Sequence, residues 1–382
     1  MKPESIKSNR AGIARKTPEG YIAFFPKPLP TKIQFSTELI SILSKADIAL
    51  GELSGIGRVL PNPHLVVDPS IRKEAVLSSK IEGTLTEYDD LFGFQILGED
   101  AKAPSDVKEV INYINALEYG ISRLAELPMS NRLVKEIHSI LMKDVRGNNS
   151  TPGEFRKTQN WIGPPGSTLN NATYVPPPVE EMKEALRNWE AQHHEDSDLP
   201  VVVRLAVLHA QFEMIHPFID GNGRVGRLLI VFLLCHWGIL PAPMLFLSAY
   251  FERNRSEYYS HLLAISHKGQ WEEWILFFAN GIREQAGKAI ELCKALLQMH
   301  EKYISLISRK ELTKATAALI ELLFKNPYID VGSLSAQVGV TFPTSLKAIQ
   351  KLEEVGILRE ITKRKRSRIW EAHEIFALFE AD

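Results

Sequence analysis

Only two cysteines, Cys235 and Cys293, occur in the 382 residues, and neither has CxxC or metal-ligand spacing. A disulfide framework and a cysteine-held metal are therefore excluded, and both thiols read as inert core residues in a reducing cytoplasm. A surplus of charge is missing too: 45 Lys and Arg against 46 Asp and Glu leave a net charge of −1. No whole-molecule field recruits nucleic acid or an anionic membrane, so such a surface must be a local cluster. The opening stretch MKPESIKSNRAGIARKTPEG lacks the apolar segment of an export signal, so no export is implied. The most apolar run, residues 228–240, is interrupted by His236, follows Arg224 and Arg227, and is too short to cross a bilayer; it reads as a buried core helix. A fixed-period repeat is also lacking. With 45% hydrophobic and 24% charged residues, the chain has a globular balance sufficient for two or three domains.

Residues 2–32 are rich in Pro, Lys and Gly without a sustained period and read as an irregular arm. From Phe35 apolar residues recur at helical spacing. Ser36-Thr37 can cap a helix running toward Leu50, and Asp68-Pro69 reads as a cap followed by proline at the first helical position. That second helix is expected to end at Gly83, which adopts a left-handed closing conformation readily. Further helical patterns cover 105–127, 130–142, 179–193 and 199–215. The fold class is mostly α. Residues 153–178 break the pattern with Gly, Pro, Asn and Thr around two strand-like patches, Trp161-Ile162 and Thr173-Tyr174-Val175, which predicts a hairpin flap. A last unit from about residue 312 has the order helix, turn, helix (343–354) and hairpin.

The most informative run is His216-Pro217-Phe218-Ile219-Asp220-Gly221-Asn222-Gly223-Arg224-Val225-Gly226-Arg227, a tight loop feeding a helix N-terminus. Glycines at 221 and 223 remove side chains and permit positive φ, so that backbone N–H groups converge on an anion at the positive end of the helix dipole. Arg224 and Arg227, three apart, add charge suited to a polyphosphate. Asp220 offers a hard oxygen to a Mg²⁺ bridging phosphates. His216, with an ordinary pKa near neutrality, is the natural proton acceptor.

HPFIDGNGRVGR resembles the Fic-family motif HxFx(D/E)GNGRxxR at every defining position. The resemblance covers about residues 35–281 and implies a Fic-type helical bundle that moves AMP from ATP onto a Tyr, Ser or Thr hydroxyl of a target protein, or of itself, releasing pyrophosphate. His216 would deprotonate the hydroxyl and Asp220 would hold Mg²⁺. Gly221, Asn222 and Gly223 would form the anion hole, and Arg224 and Arg227 would neutralise the β- and γ-phosphates, with Val225 and Gly226 completing the ATP-binding run. Asn254, Tyr258 and Tyr259 are the expected adenine contacts. The flap matches a family hairpin that docks the target backbone.

Ser78-Ser79-Lys80-Ile81-Glu82-Gly83 resembles the family's inhibitory motif (S/T)xxxE(G/N). A carboxylate in the last turn of a helix meets the negative end of the dipole and gains from a cation; the resemblance implies that this cation is Arg227. Residues 312–372 resemble a winged helix-turn-helix, whose cluster of Lys363, Arg364, Lys365, Arg366 and Arg368, beside Arg359, suits a phosphate backbone. The expected division is an arm at 1–34, a helical region with the inhibitory helix at 35–104, a Fic core at 105–300 and the winged unit at 305–382.

The leading expectation is a cytoplasmic, self-inhibited protein AMP transferase using ATP and Mg²⁺. Its partners are a hydroxyl-bearing target protein and, through the winged unit, either DNA or a docking protein; a homodimer stays open and no membrane is involved. Two rivals stand beside it: a DNA-binding regulator whose Fic core senses nucleotide, and an enzyme that mainly removes AMP.

Overall fold

The computed structural model describes residues 6–28, 32–60, 63–87, 105–145, 151–195, 197–307, 313–362 and 368–380. In place of the expected irregular arm, the chain opens with a hairpin in which β1 (Gly12–Lys16) pairs antiparallel with β2 (Ile22–Pro26). The turn Thr17-Pro18-Glu19-Gly20 closes it, with Gly20 at φ +95°. Proline second and a left-handed glycine last is strong turn chemistry that overall Pro and Gly content obscures. Phe24, fully buried, donates its N–H to the Val175 carbonyl at 2.9 Å and so ties the hairpin to the flap region.

Helix α1 (Thr37–Val59) starts where Ser36 Oγ accepts the Leu39 N–H at 3.1 Å, and it runs well past Leu50. The next helix, α2 (His64–Ile81), begins before Asp68-Pro69, so Pro69 lies inside it and Asp68 is no cap. The Pro63 carbonyl starts this helix by accepting from Val66 and Val67, and Pro69, near the N-terminal end, removes one backbone donor without ending it. Beyond Glu82, Gly83 takes φ +99° as expected. There follow α3 (Ser105–Arg123), α4 (Asn131–Leu141), α5 (Val179–His194), α6 (Val201–Ile215) and α7 (Asn222–His236). After these come α8 (Ser248–Arg253), α9 (Arg255–Lys268) and the long α10 (Trp271–Leu306). The flap is slighter than expected, with one antiparallel bridge, Ile162 to Tyr174, holding 153–178 together.

The C-terminal unit keeps the expected first helix, 343–354 helix and hairpin but has a strand and a third helix where a turn was expected, and a closing helix: α11 (Lys314–Lys325), β3 (Tyr328–Asp330), α12 (Val331–Val338), α13 (Phe342–Glu354), β4 (Arg359–Glu360), β5 (Ile369–Glu371) and α14 (His373–Glu380). The three strands form an antiparallel sheet of order β3-β5-β4. The molecule is thus mostly helical with two small sheets. Among the described residues no helix is long and apolar enough to cross a membrane.

Helices α6 and α7 are apolar nearly all round and form the centre of the core, as all-round hydrophobicity requires. Around them α10 packs along α1 and α6, while α2 lies against α3, α8 and α11. Close approach of α3 to α7 depends on Gly120, where a β-carbon would meet Phe232 Cζ at 2.3 Å. Gly120→Val is expected to force these helices apart and cost about 1–3 kcal/mol, measured as a lowered denaturation midpoint.

Candidate active site

The loop joining α6 to α7 is built from an unusual bend. His216 closes α6 in the left-handed region, at φ +49° and ψ +61°, a conformation disfavoured for any residue with a side chain. The carbonyls that follow are gripped from several sides. Arg156 Nε donates to His216 O at 3.0 Å, the Arg156 backbone N–H to Pro217 O at 2.9 Å, and Asn160 Nδ2 to Phe218 O at 2.8 Å. The Asn222 side chain clasps Phe218 from both sides, accepting its N–H and donating to its carbonyl, each at 2.9 Å. Asn222 therefore shapes the loop with its side chain, and what it can offer an anion is its backbone N–H. Below the loop, Phe218 stacks on His138 at 3.7 Å between ring centres, and His138 Nε2 lies 3.1 Å from the Asp220 carbonyl.

Gly221, at φ +78°, precedes α7, whose first-turn N–H groups at Asn222, Gly223 and Arg224 have no carbonyl within the helix to receive them. They point where the dipole is positive, the setting that an anion cradle requires. Only Gly221 uses positive φ. Gly223 lies within the helix, and its missing side chain serves another purpose: a β-carbon there would sit 2.3 Å from Glu82 Oε1.

Glu82 thus occupies the mouth of the cradle. Its Oε1 accepts from Arg227 Nη2 at 2.7 Å, while Arg227 Nε donates to Ser78 Oγ at 2.7 Å and Nη2 to Ser78 O at 2.9 Å. Side-chain exposure is 2% for Arg227 and 35% for Glu82. Burial alone would raise the Glu82 carboxyl, but the guanidinium outweighs it and holds the group below the usual carboxylate range. A second layer supports the contact. Glu74 accepts from Tyr113 Oη at 2.9 Å and Ser248 Oγ at 2.6 Å, fixing α2 to α3 and α8.

The remaining site residues divide. Burial, aided by the Arg156 charge, pushes the His216 ring down to about 4, so the imidazole is neutral and needs no neutral-range pKa to act as a base. Its Nδ1 lies 3.3 Å from the Glu213 carbonyl, which favours the Nδ1–H tautomer and leaves a lone pair on Nε2. Arg224 does not project freely; it is buried with Nη1 at 3.0 Å from Glu109 Oε2. Val225 is a core residue with no exposed surface. Gly226 makes room for Glu213 Oε1, which a β-carbon would meet at 2.2 Å. Asp220 is half-exposed, one carboxylate oxygen held by the Gly221 N–H at 2.6 Å. Among the described residues no three metal-ligating side chains cluster. Mg²⁺ needs only one or two carboxylates when phosphates and water complete its shell, so Asp220 beside the cradle fits it.

The tyrosine pair is split. Tyr258 is 1% exposed, stacks on Phe251 at 4.4 Å and shares a hydrogen bond with His209 Nε2 at 2.9 Å, so it is a core residue. Tyr259 is 43% exposed and close enough to Glu82 and Arg227 to feel both charges. The Asn254 amide turns back to the Tyr250 carbonyl at 2.9 Å. In the C-terminal unit Lys363, Arg364, Lys365 and Arg366 lie outside the described residues. Arg368 pairs with Glu360, and Arg359 pairs with Glu371 at 2.7 Å. Sequence reasoning missed Glu74, Glu109, Tyr113, Arg156, Asn160 and Glu213; none stands in a motif with its partners.

A helical bundle thus joins a histidine bend, a glycine-led helix start and an internal carboxylate paired with Arg227. Known proteins match this part of the chain. Residues 40–122 match the Fic/DOC family N-terminal region and residues 128–234 the Fic/DOC family domain. The chain belongs to the Fic/DOC family. It is 29% identical over 184 residues to the protein adenylyltransferase Fic of Drosophila grimshawi, a match that takes in 47% of this chain and 34% of the fly protein. A corresponding protein of Drosophila virilis is 28% identical over 185 residues. The chain thus spans about a third of the length of these curated relatives. In fold, a crystal structure of a Fic family protein from Desulfovibrio desulfuricans aligns with a TM-score of 0.56 at 18% identity, covering 91% of this chain and 98% of that one. Fic-1 from C. elegans aligns with a TM-score of 0.53 at 20% identity, covering 67% and 74%.

The His216 ring is expected to titrate near pH 4, well below a free imidazole, and NMR of ring-labelled protein between pH 3 and pH 8 measures this directly. A midpoint near about 6.5 contradicts the buried setting.

Proposed function

We propose that this chain is a protein adenylyltransferase that moves AMP from ATP to a Tyr, Ser or Thr hydroxyl of a target protein, and of itself, and that Glu82 holds it inactive. The observation that carries the reading is the unprotonated His216 and the α7 anion cradle within one twelve-residue run, its Arg227 already engaged by an internal carboxylate. The relatives named protein adenylyltransferase support the same chemistry.

In this mechanism the target oxygen attacks the α-phosphorus while His216 Nε2 takes its proton. The bond from the α-phosphorus to the α,β-bridging oxygen breaks, and pyrophosphate leaves with the bonding pair. The N–H groups of α7 hold the phosphate oxygens, and Arg227, once released from Glu82, neutralises the γ-phosphate. Such transfers depend on positioning and charge neutralisation more than on covalent chemistry. Asp220, with the nucleotide, would hold Mg²⁺, which would supply further charge neutralisation. Residues 160–163 and 173–175 of the flap would receive the target backbone. Arg224 acts from its pair with Glu109, and Tyr259 is the better placed of the two tyrosines to meet a base. The rival reading as a DNA-binding regulator draws less support, since Arg359 and Arg368 of the wing are both engaged by carboxylates.

His216→Ala is expected to lower transfer by at least about 100-fold with ATP affinity nearly unchanged, followed by labelling with radioactive ATP and by calorimetry. Residual transfer within about tenfold of the parent removes His216 from the role of base. Glu82→Gly is expected to raise labelling, and Glu82→Gly with Arg227→Ala to lose the gain; retained activation in the double variant refutes the pairing. Wild-type protein that instead strips AMP from a modified target is a removing enzyme.

A further inference from the structure

The tightest polar packing near the site lies where the flap stem meets the His216 bend. Arg156 is 1% exposed, yet carries a guanidinium into the core and spreads it over three backbone carbonyls: His216 O at 3.0 Å, Pro177 O at 2.5 Å and Thr158 O at 3.3 Å. Four residues later Asn160 Nδ2 bridges the carbonyls of His216, at 3.3 Å, and Phe218, at 2.8 Å. With the Arg156 N–H on Pro217 O, three successive carbonyls, 216, 217 and 218, are held from this one segment. A left-handed bend at a residue with a side chain persists only where its surroundings over-determine it. A cation held by carbonyls in the core is a costly way to close a turn that neutral groups could close. Two residues beyond Asn160, Ile162 makes the flap bridge to Tyr174, its N–H to Tyr174 O at 2.8 Å.

We propose that Arg156 and Asn160 are positioning residues that set the direction of the His216 imidazole from the flap stem, so that the segment receiving the target also aims the base at its hydroxyl. This rests on the AMP-transfer reading above. The chain between Asn160 and Ile162 is too short to absorb much displacement. A backbone laid along the flap is therefore registered against Nε2 through two peptide units and one hydrogen-bonded side chain. Arg156 also faces the ring as a charge. The groups acting on the imidazole are Arg156 from the flap stem, which disfavours protonation, and the Glu213 carbonyl and Glu82, which favour it.

The test uses the full chain carrying Glu82→Gly as parent. Asn160→Ala is expected to lower kcat for target modification about 10- to 100-fold while KM for ATP stays within about twofold, because the cradle on α7 is untouched. Asn160→Gln, which keeps a donor, is expected to recover part of the loss. Thermal unfolding verifies that each variant is folded. Ring ¹⁵N spectra supply a readout independent of turnover. The parent is expected to show the Nδ1–H tautomer and Asn160→Ala a mixture, and Arg156→Met is expected to shift the His216 titration upward. A folded Asn160→Ala protein with the parent's kcat overturns the proposal. If the parent transfers no AMP, the functional reading fails separately. In that case a parent-like tautomer in Asn160→Ala, together with an unmoved titration in Arg156→Met, overturns the positioning role.

Discussion

Arg227 places a permanent positive charge, buried to 2% exposure, in the first turns of a helix whose remainder is largely apolar, and much of the surrounding structure follows from the need to give that charge an anion. A guanidinium at 2% exposure without a partner would cost more than the local packing returns. The chain supplies its own anion from α2, and the consequences spread outward. Gly223 must lack a side chain so that Glu82 can reach in. Ser78 must stand one turn earlier to take the Nε–H and a second Nη2–H. Glu74 must anchor α2 to Tyr113 and Ser248 so that the carboxylate arrives at a fixed height. Because Glu82 keeps a third of its side chain in water, its withdrawal exposes little new charge, whereas Arg227 left behind demands another anion. A triphosphate is chemically suited to that vacancy.

The same neighbourhood sorts its titratable groups by one rule. Burial drives His216 and His138 down to about 4 and lifts the Glu74 and Glu213 carboxyls to about 7. Each of these groups shifts toward its neutral form, and the guanidiniums of Arg156, Arg224 and Arg227 stay charged. The field at the α7 N-terminus is therefore set by arginines and helix dipole, with Glu82 as the main opposing charge. Because the Glu74 and Glu213 carboxyls ionise near neutrality, this positive field weakens as pH rises through about 7.

Much of this was legible in the sequence where cause and effect lie close along the chain. The motif of residues 216–227 forms one loop and one helix start, and the helices read at 130–142, 179–193 and 199–215 end within two residues of the observed ones. Ser36 and Gly83 act as a cap and a stop through purely local chemistry. Long-range pairings escaped. Glu109 meets Arg224 across 115 positions, and no periodicity marks either as the other's partner. Arg156 and Asn160 bind backbone carbonyls, which every residue possesses, so composition could not single them out. Tyr258 and Tyr259 are chemically equal in sequence, and only the helical rotation of α9 turns one inward and the other to solvent. The β1–β2 hairpin was lost for another reason, a specific four-residue turn being averaged into a Pro- and Gly-rich stretch.

One feature of the fold links parts of the molecule that the site alone does not connect. Helix α11 lies along α2, and Lys325 reaches to 3.8 Å from Asp68, about four helical turns before Glu82. α2 is therefore shared between the C-terminal unit on one side and the Arg227 pair on the other. Free energies of binding at two such places are reciprocal. Were a ligand of the C-terminal unit and a ligand beside Arg227 coupled through α2, each would change the other's affinity by the same factor.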